Sequence, residues 1–316
     1  MISRVLILTP ATSFSEQLRT MLLSTFPDLR IHLATNADAA MPLIADTEAL
    51  LTVGSAVTDE LLRLATKLTW IQSLGTGTDG IVDRPTLAPN VVVTNARGLF
   101  DDAVAECGLA LMLALSRDHT SLVLNQAARR WEFWIPRLLS GKCVGIVGLG
   151  AIGTSLAFKC KALGMRVVGI SARAEAPSFD AILPYDRLID AAAEFDFLVL
   201  VAALTARNRG LINSRVLSAM RRSSYLINLA RGAMVIEDDL VEALRTGTIA
   251  GAALDAFMYE PLPQDSILWS TPNLLISPHL AGPNDTHLER VRCIIEANIR
   301  ALQRGDREAL LNPVPR

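Results

Sequence analysis

Aromatic residues make up only 5% of the 316-residue chain, and neither charge sign is in excess. The 30 Lys and Arg stand against 32 Asp and Glu, for a net charge of −2, so the chain has no basic excess with which to track a nucleic-acid backbone. Long hydrophobic runs are also missing. The longest candidates, 109–115 and 197–204, have the length of a buried helix and a buried strand, not the roughly 18–20 residues of a membrane span. Cysteine is sparse: Cys107, Cys143, Cys160 and Cys293 form no CxxC or zinc-type spacing. Each sits in an apolar run, which reads as four reduced core thiols. The N-terminus lacks a signal-peptide core and cleavage site, so the expected address is the cytoplasm. What is present, 51% hydrophobic and 20% charged residues, describes a globular protein long enough for two domains.

Residues 1–98 alternate short apolar runs with amphipathic stretches. Strands are expected over 5–8, 29–33, 50–53, 69–73 and 91–94, with a helix over 59–68. Ser13 and Glu16 form an S-x-x-E capping box ahead of a helix carrying Leu18, Met21 and Leu22. Strands alternating with helices point to a parallel sheet covered on both faces. An apolar-faced helix over 103–116 then leads into a second α/β stretch, with strands over 143–148, 167–170, 197–201, 225–229, 249–254 and 274–277 and a helix over 237–245. A long amphipathic helix over 286–302 is expected to return to the first domain. The expected boundaries are therefore 1–98 completed by 286–316, and 99–285.

The strand-like run from Val144 ends in Gly148-Leu149-Gly150-Ala151-Ile152-Gly153, a G-x-G-x-x-G. Alone this pattern is weak. Here it follows a strand and opens a segment with Ile152, Leu156, Cys160 and Leu163 on one helical face, closed by Gly164 and a second strand. Gly148 permits the tight turn, Gly150 lets the backbone approach a pyrophosphate, and Gly153 allows close helix–strand packing. The helix N-terminus then binds the phosphates, so a nicotinamide dinucleotide is expected on this turn.

Cofactor choice is read at the end of the next strand. An NAD site carries an acid about 20 residues past the last glycine. This chain has Ser171-Ala172-Arg173 there and no acid before Glu175. A hydroxyl and a guanidinium suit a 2′-phosphate, which favours NADP(H). The alternative is an exposed Arg173 beside a site that takes NAD(H) as well.

Three later segments place polar residues where a parallel sheet presents its C-terminal edge: 228–232 with Arg231, 255–263 with Asp255 and Glu260, and 277–282 with His279. With Asn95, 104–106 and the glycine motif, these segments in this order resemble the D-isomer-specific 2-hydroxyacid dehydrogenase family over nearly the whole chain. The resemblance implies an α/β fold of two doubly wound parallel-sheet domains flanking a cleft, a Rossmann cofactor domain inserted in a smaller flavodoxin-like one. Substrate would lie between them, usually in a homodimer. It implies that Arg231, Glu260 and His279 are catalytic and that Asp255 lies beside the nicotinamide. Ala151, Ile152, Ala203 and Ala230 are implied cofactor contacts. The loop 73–81 resembles the family segment whose backbone N–H groups grip the substrate carboxylate, which points to Thr76 and Gly77.

The residue types suit reduction of a small 2-keto acid to the 2-hydroxy acid. An imidazole titrates near neutrality and can donate the proton. Glu260 would keep it charged, and Arg231 would hold the carboxylate and polarise the ketone. No metal is required. His32, His119 and His287 receive no role. Two departures from the family stand out: Ala203-Leu204-Thr205-Ala206-Arg207-Asn208 lacks the usual proline and second threonine, and Arg97 replaces a small residue or proline. Trp131, Phe133 and Trp134, near Arg129, Arg130 and Arg137, either line the cleft, pack across a dimer or pack within the chain. The expected function is an NADPH-preferring reductase of glyoxylate, hydroxypyruvate or a similar acid. The rivals are an NAD-dependent dehydrogenase of phosphoglycerate, formate or phosphite, and a dinucleotide-sensing regulator.

Overall fold

The computed structural model describes residues 2–10, 12–172 and 175–315. The chain divides into two compact units, Met1–Phe100 with Asn284–Arg316, and Asp101–Pro283. The first begins with β1 (Arg4–Leu8), α1 (Thr12–Thr25), β2 (Arg30–Ala34), α2 (Ala37–Ile44), β3 (Ala49–Thr52), α3 (Asp59–Leu64), β4 (Trp70–Ser73) and β5 (Val92–Thr94). These strands pair in parallel in the order β2-β1-β3-β4-β5, the flavodoxin-like winding. Every residue of β3 and β4 is buried, as a sheet covered on both faces requires. Leu6, Leu50, Ile71 and Val93 from the sheet pack with Ile44 and Leu61 from the helices.

Two local expectations are corrected in this unit, and one helix was not expected. The helix α1 is already under way at Thr12, so Ser13 is not a cap; its hydroxyl accepts from Gln17 Nε2 (3.2 Å) within the helix. The helix α3 stops at Leu64, because Ala65 leaves the helical region and Leu68 N–H turns back to Ala65 O. The helix α2 was hidden from the periodicity by Pro42 inside it; Asn36 starts it by accepting from Ala39 N–H (2.9 Å).

The second unit runs α4 (Asp101–Arg117), α5 (His119–Ala127), β6 (Cys143–Val147), α6 (Ala151–Ala162), β7 (Arg166–Ile170), β8 (Ala181–Leu183), α7 (Leu188–Ala191), β9 (Phe197–Leu200), α8 (Ser214–Ala219), β10 (Tyr225–Asn228), α9 (Glu237–Arg245), β11 (Gly251–Leu254) and β12 (Leu274–Ile276). Its sheet, again parallel throughout, has the order β12-β11-β10-β9-β6-β7-β8. The order in which strands are added reverses between β6 and β9, the switch point at which α/β sheets bind ligands beyond their strand ends. The edge strand β8, Ala-Ile-Leu, is half-buried along its length, and its apolar run of three residues is shorter than those that mark the inner strands.

The chain closes with α10 (His287–Gln303), which belongs to the first unit and packs on α1, with Val291, Ile295 and Ile299 among its buried residues. Beyond it Val314 N–H donates to Val93 O (2.9 Å), so the C-terminal segment covers the free edge of β5. The expectation of four core thiols needs correction. All four are free, but Cys143 and Cys160 are buried, Cys107 is half-buried and Cys293 on α10 is exposed. Burial pushes the Cys160 thiol up to about 12 and the Cys107 thiol to about 11, the latter with help from Asp255. No helix among the described residues is long and apolar enough to cross a membrane.

Candidate active site

The glycine turn joins β6 to α6. Gly148 has φ +108°, and a Cβ there would stand 2.7 Å from the Ala202 backbone after β9. At Gly153 a Cβ would lie 2.0 Å from Gly148 O, so only glycine lets the helix start against the strand end. Gly150 is different. It is the N-cap of α6, has no side chain capping the first N–H groups, and a Cβ on it would meet nothing within 4 Å. Unclaimed helix donors facing open room at a sheet switch point are what a dinucleotide pyrophosphate requires, so the residues present fit that cofactor. At the end of β7, Ser171 N–H donates to Leu183 O (3.0 Å). Arg173 lies outside the described residues.

Beyond the ends of β10, β11 and β12 three loops meet. His279 Nδ1 and Glu260 Oε2 are 2.8 Å apart. The other Glu260 oxygen accepts from Phe257 N–H (2.9 Å), which fixes the carboxylate plane. The hydrogen bond that His279 makes to Glu260 raises the His279 pKa above its usual 6.5, against partial burial and the Arg231 charge and with help from the Glu260 and Asp255 charges. For Glu260, partial burial pushes the carboxyl up, but the His279 and Phe257 bonds and the charges of His279 and Arg231 prevail and hold it below the usual value. The pair therefore favours imidazolium beside carboxylate.

The loop carrying His279 is held from beneath. Asp255 is buried; Oδ1 accepts from the Ser277 hydroxyl (2.5 Å) and Leu280 N–H (2.8 Å), and Oδ2 from Ala281 N–H (3.0 Å). These bonds bracket His279, whose φ of +55° is the left-handed conformation needed to turn its ring out of the loop. Arg231 follows β10, where Asn228 Nδ2 donates to Arg231 O (3.0 Å) and Asn228 Oδ1 accepts from Ala230 N–H (3.0 Å). Its guanidinium donates to Ala230 O (2.7 Å). Gly232 lets this loop touch the Glu260 loop: a Cβ there would sit 1.9 Å from Phe257 C.

In the first unit, the loop after β4 has its carbonyls pinned one after another. Gln72 Nε2 donates to Ser73 O (2.8 Å), Ala96 N–H to Gly75 O (2.9 Å), Asn95 Nδ2 to Thr76 O (2.8 Å) and the Ser73 hydroxyl to Gly77 O (2.8 Å). In a trans peptide the C=O and the following N–H point opposite ways, so fixing Gly75 O and Thr76 O aims the N–H groups of Thr76 and Gly77.

Sequence reasoning missed the roles of Gly232 and Asn208. Asn208 is buried and closes the 203–208 turn by accepting from Thr205 N–H (2.7 Å) and donating to Ala203 O (2.8 Å). Arg207 lies over the Tyr185 ring (5.4 Å). Arg97 is exposed, its N–H donating to Asn95 Oδ1 (3.1 Å). Trp131, Phe133 and Ile135 are 101%, 86% and 85% exposed, so packing within the chain does not account for them.

A profile of the D-isomer specific 2-hydroxyacid dehydrogenase NAD binding domain matches residues 109–281. Glyoxylate/hydroxypyruvate reductase B of Pectobacterium atrosepticum is 32% identical over 283 residues, covering 86% of this chain and 88% of that protein. Among solved structures, a D-isomer specific 2-hydroxyacid dehydrogenase family protein from Aeromonas salmonicida superposes with a TM-score of 0.87 at 30% identity, over 100% of this chain and 99% of its own. A second, from Xanthobacter autotrophicus and bound to NADPH and MES, gives 0.83 at 29% identity over 99% and 98%. With two parallel α/β units, the glycine turn and loops that unite Arg231, Glu260 and His279, the chain belongs to the D-isomer-specific 2-hydroxyacid dehydrogenases, oxidoreductases that work with a nicotinamide dinucleotide.

Proposed function

We propose that this protein is an NADPH-preferring reductase of small 2-keto acids of the glyoxylate and hydroxypyruvate class, with His279 as proton donor. The observation that carries the proposal is the 2.8 Å contact between His279 Nδ1 and Glu260, which leaves Nε2 as the ring's proton-delivering atom. When bound on the glycine turn, through Gly148, Gly150, Ala151, Ile152 and Gly153 with Ala203 and Ala230 nearby, the dihydronicotinamide supplies the hydride. His279 hands its Nε2 proton to the developing alkoxide, and Glu260 stabilises the imidazolium until then. Arg231 orients the acid and polarises its ketone, its charge being permanent. Asp255 holds the His279 loop at the nicotinamide end. Thr76 and Gly77 offer backbone N–H groups to the carboxylate, which fix an anion without adding a competing charge.

The NADPH preference is supported by Ser171 and Arg173 where an acid would serve NAD(H), and by the NADPH found in the Xanthobacter relative. The exposed Trp131, Phe133 and Ile135 support a homodimer built over that segment. The deciding experiment is a panel of 2-keto acids assayed with NADPH and NADH. Turnover of glyoxylate or hydroxypyruvate with NADPH preferred is expected. Tight cofactor binding with no turnover across the panel would instead point to a dinucleotide-sensing regulator. Arg173→Ala should weaken NADPH by about tenfold or more, the size of one charge-assisted hydrogen bond, with little effect on NADH.

A further inference from the structure

We propose that Glu237, the first residue of α9, is a positioning residue for the proton-donating pair, acting through the backbone N–H of Met258; this rests on the reading of His279 and Glu260 as that pair. Glu237 Oε1 accepts from Met258 N–H (2.8 Å). The neighbouring N–H, that of Phe257, goes to Glu260 Oε1 (2.9 Å), and Glu260 Oε2 meets His279 Nδ1 (2.8 Å). Two consecutive N–H groups of one loop are thus held by two carboxylates, one belonging to the pair and the other outside it. The path from α9 to the imidazole lies wholly inside the second unit.

The backbone that leads to Glu260 depends on this bond because its side chains anchor it weakly. Phe257 is buried, but Met258 and Tyr259 are 50% and 70% exposed. The mount on the other side is firm. Leu240, Val241, Ala243 and Leu244 of α9 are buried, and Ile236 N–H, just before the helix, donates to Ile212 O (2.8 Å). Asp239 Oδ2 accepts from Ser214 N–H (2.6 Å) at the start of α8. Glu237 also shares the short stretch 231–237 with Arg231, and Gly232 in that stretch presses on the same peptide: a Cβ there would stand 2.2 Å from Met258 N. The bond from Met258 to Glu237 therefore fixes the Glu260 loop against the segment that carries Arg231. Released from it, the N–H of this exposed residue would turn to water at small cost in stability, so what the tether supplies is orientation.

The test uses the intact enzyme with NADPH and the best keto acid of the panel, and reads the falling limb of the pH–rate profile. Glu237→Asp keeps a carboxylate at the helix start, where the dipole favours it, but stops one methylene short of Met258 N–H. Glu237→Gln keeps the reach and an accepting oxygen but not the acid. In Glu237→Asp, kcat/KM at neutral pH should fall by about tenfold, the size of one hydrogen bond to a charged group. The falling limb should move to lower pH as Glu260 loosens from His279, while NADPH affinity and the thermal midpoint stay near wild type. Glu237→Gln should recover most of the rate and return the limb. In a Glu260→Gln background, Glu237→Asp should move the limb no further. An unmoved limb in Glu237→Asp overturns the proposal. So does the reverse order, with Glu237→Gln impaired and Glu237→Asp intact, since that marks a helix-end charge only. The reading of the pair fails separately: a limb that stays in place in Glu260→Gln does not belong to His279 and Glu260, whatever Glu237 does.

Discussion

At the scale of single residues, the His279–Glu260 contact makes a pH statement with a definite sign. The imidazole pKa is raised, so the protonated donor persists above the usual 6.5. Keto-acid reduction uses that proton; kcat/KM should hold level through neutrality and fall as pH rises through the raised value, while hydroxy-acid oxidation should rise over the same range. Glu260→Gln keeps an oxygen for Phe257 N–H but loses the charge on His279, so the falling limb should shift to lower pH in a pH–rate profile. A limb that stays in place would remove Glu260 from the proton chemistry. His279→Ala should lower kcat by about 10²–10⁴-fold with NADPH binding retained in a fluorescence titration. The cysteines give a second check at this scale. Exposed Cys293 should react with a thiol reagent in the native protein, whereas Cys160, held near 12 by burial, should react only on unfolding.

Between residue and molecule, the informative elements are the joints where two loops or a helix and a strand touch without room to spare. Gly232→Ala places a methyl group 1.9 Å from the Phe257 carbonyl carbon, which neither loop can relieve without moving Arg231 or Glu260. Activity should therefore collapse, and a crystal structure should show the 255–260 loop displaced. The last helix offers a stability test. Asn298 is buried and bonds Gln72 Oε1 (3.0 Å), Leu311 O (3.3 Å) and Leu311 N–H (2.7 Å), tying α10 to β4 and to the C-terminal segment. Asn298→Ala strands several of these buried groups and should cost about 2–4 kcal/mol, read as a lower urea midpoint with unchanged m. The elements α2 and β8 show why sequence reasoning passes over some pieces: one carries an internal proline, and the other is an apolar run of only three residues.

For the whole molecule, two all-parallel sheets wound in orders 2-1-3-4-5 and, counting within the second unit, 3-2-1-4-5-6-7 account for where ligands bind. Residues Trp131, Phe133 and Ile135 stand almost wholly in solvent, an arrangement costly for side chains of this size. Light scattering should give the mass of a dimer for the wild type and of a monomer for the Trp131→Ser/Phe133→Ser double variant. A monomeric wild type would leave that apolar segment for another partner. Cofactor linkage is also read globally: NADPH at about 100 times its Kd should stabilise the fold by about 2.7 kcal/mol, and NADH at the same concentration by less.

The sequence by itself determined the α/β class, nearly all inner strands and the glycine turn. Those features are local: they follow from short apolar runs, helical periodicity and backbone conformations that only glycine permits at Gly148 and Gly153. It also marked Arg231, Glu260 and His279 as candidates, on strand-end segments whose order resembles that of the family. Tertiary structure alone decided how their loops come together. The approach of Gly232 to Phe257 and the three bonds by which Asp255 secures the His279 loop join residues far apart in the chain. Such contacts depend on strand order and register, which bring distant loops to one sheet edge and leave no trace in the spacing of residues along the chain.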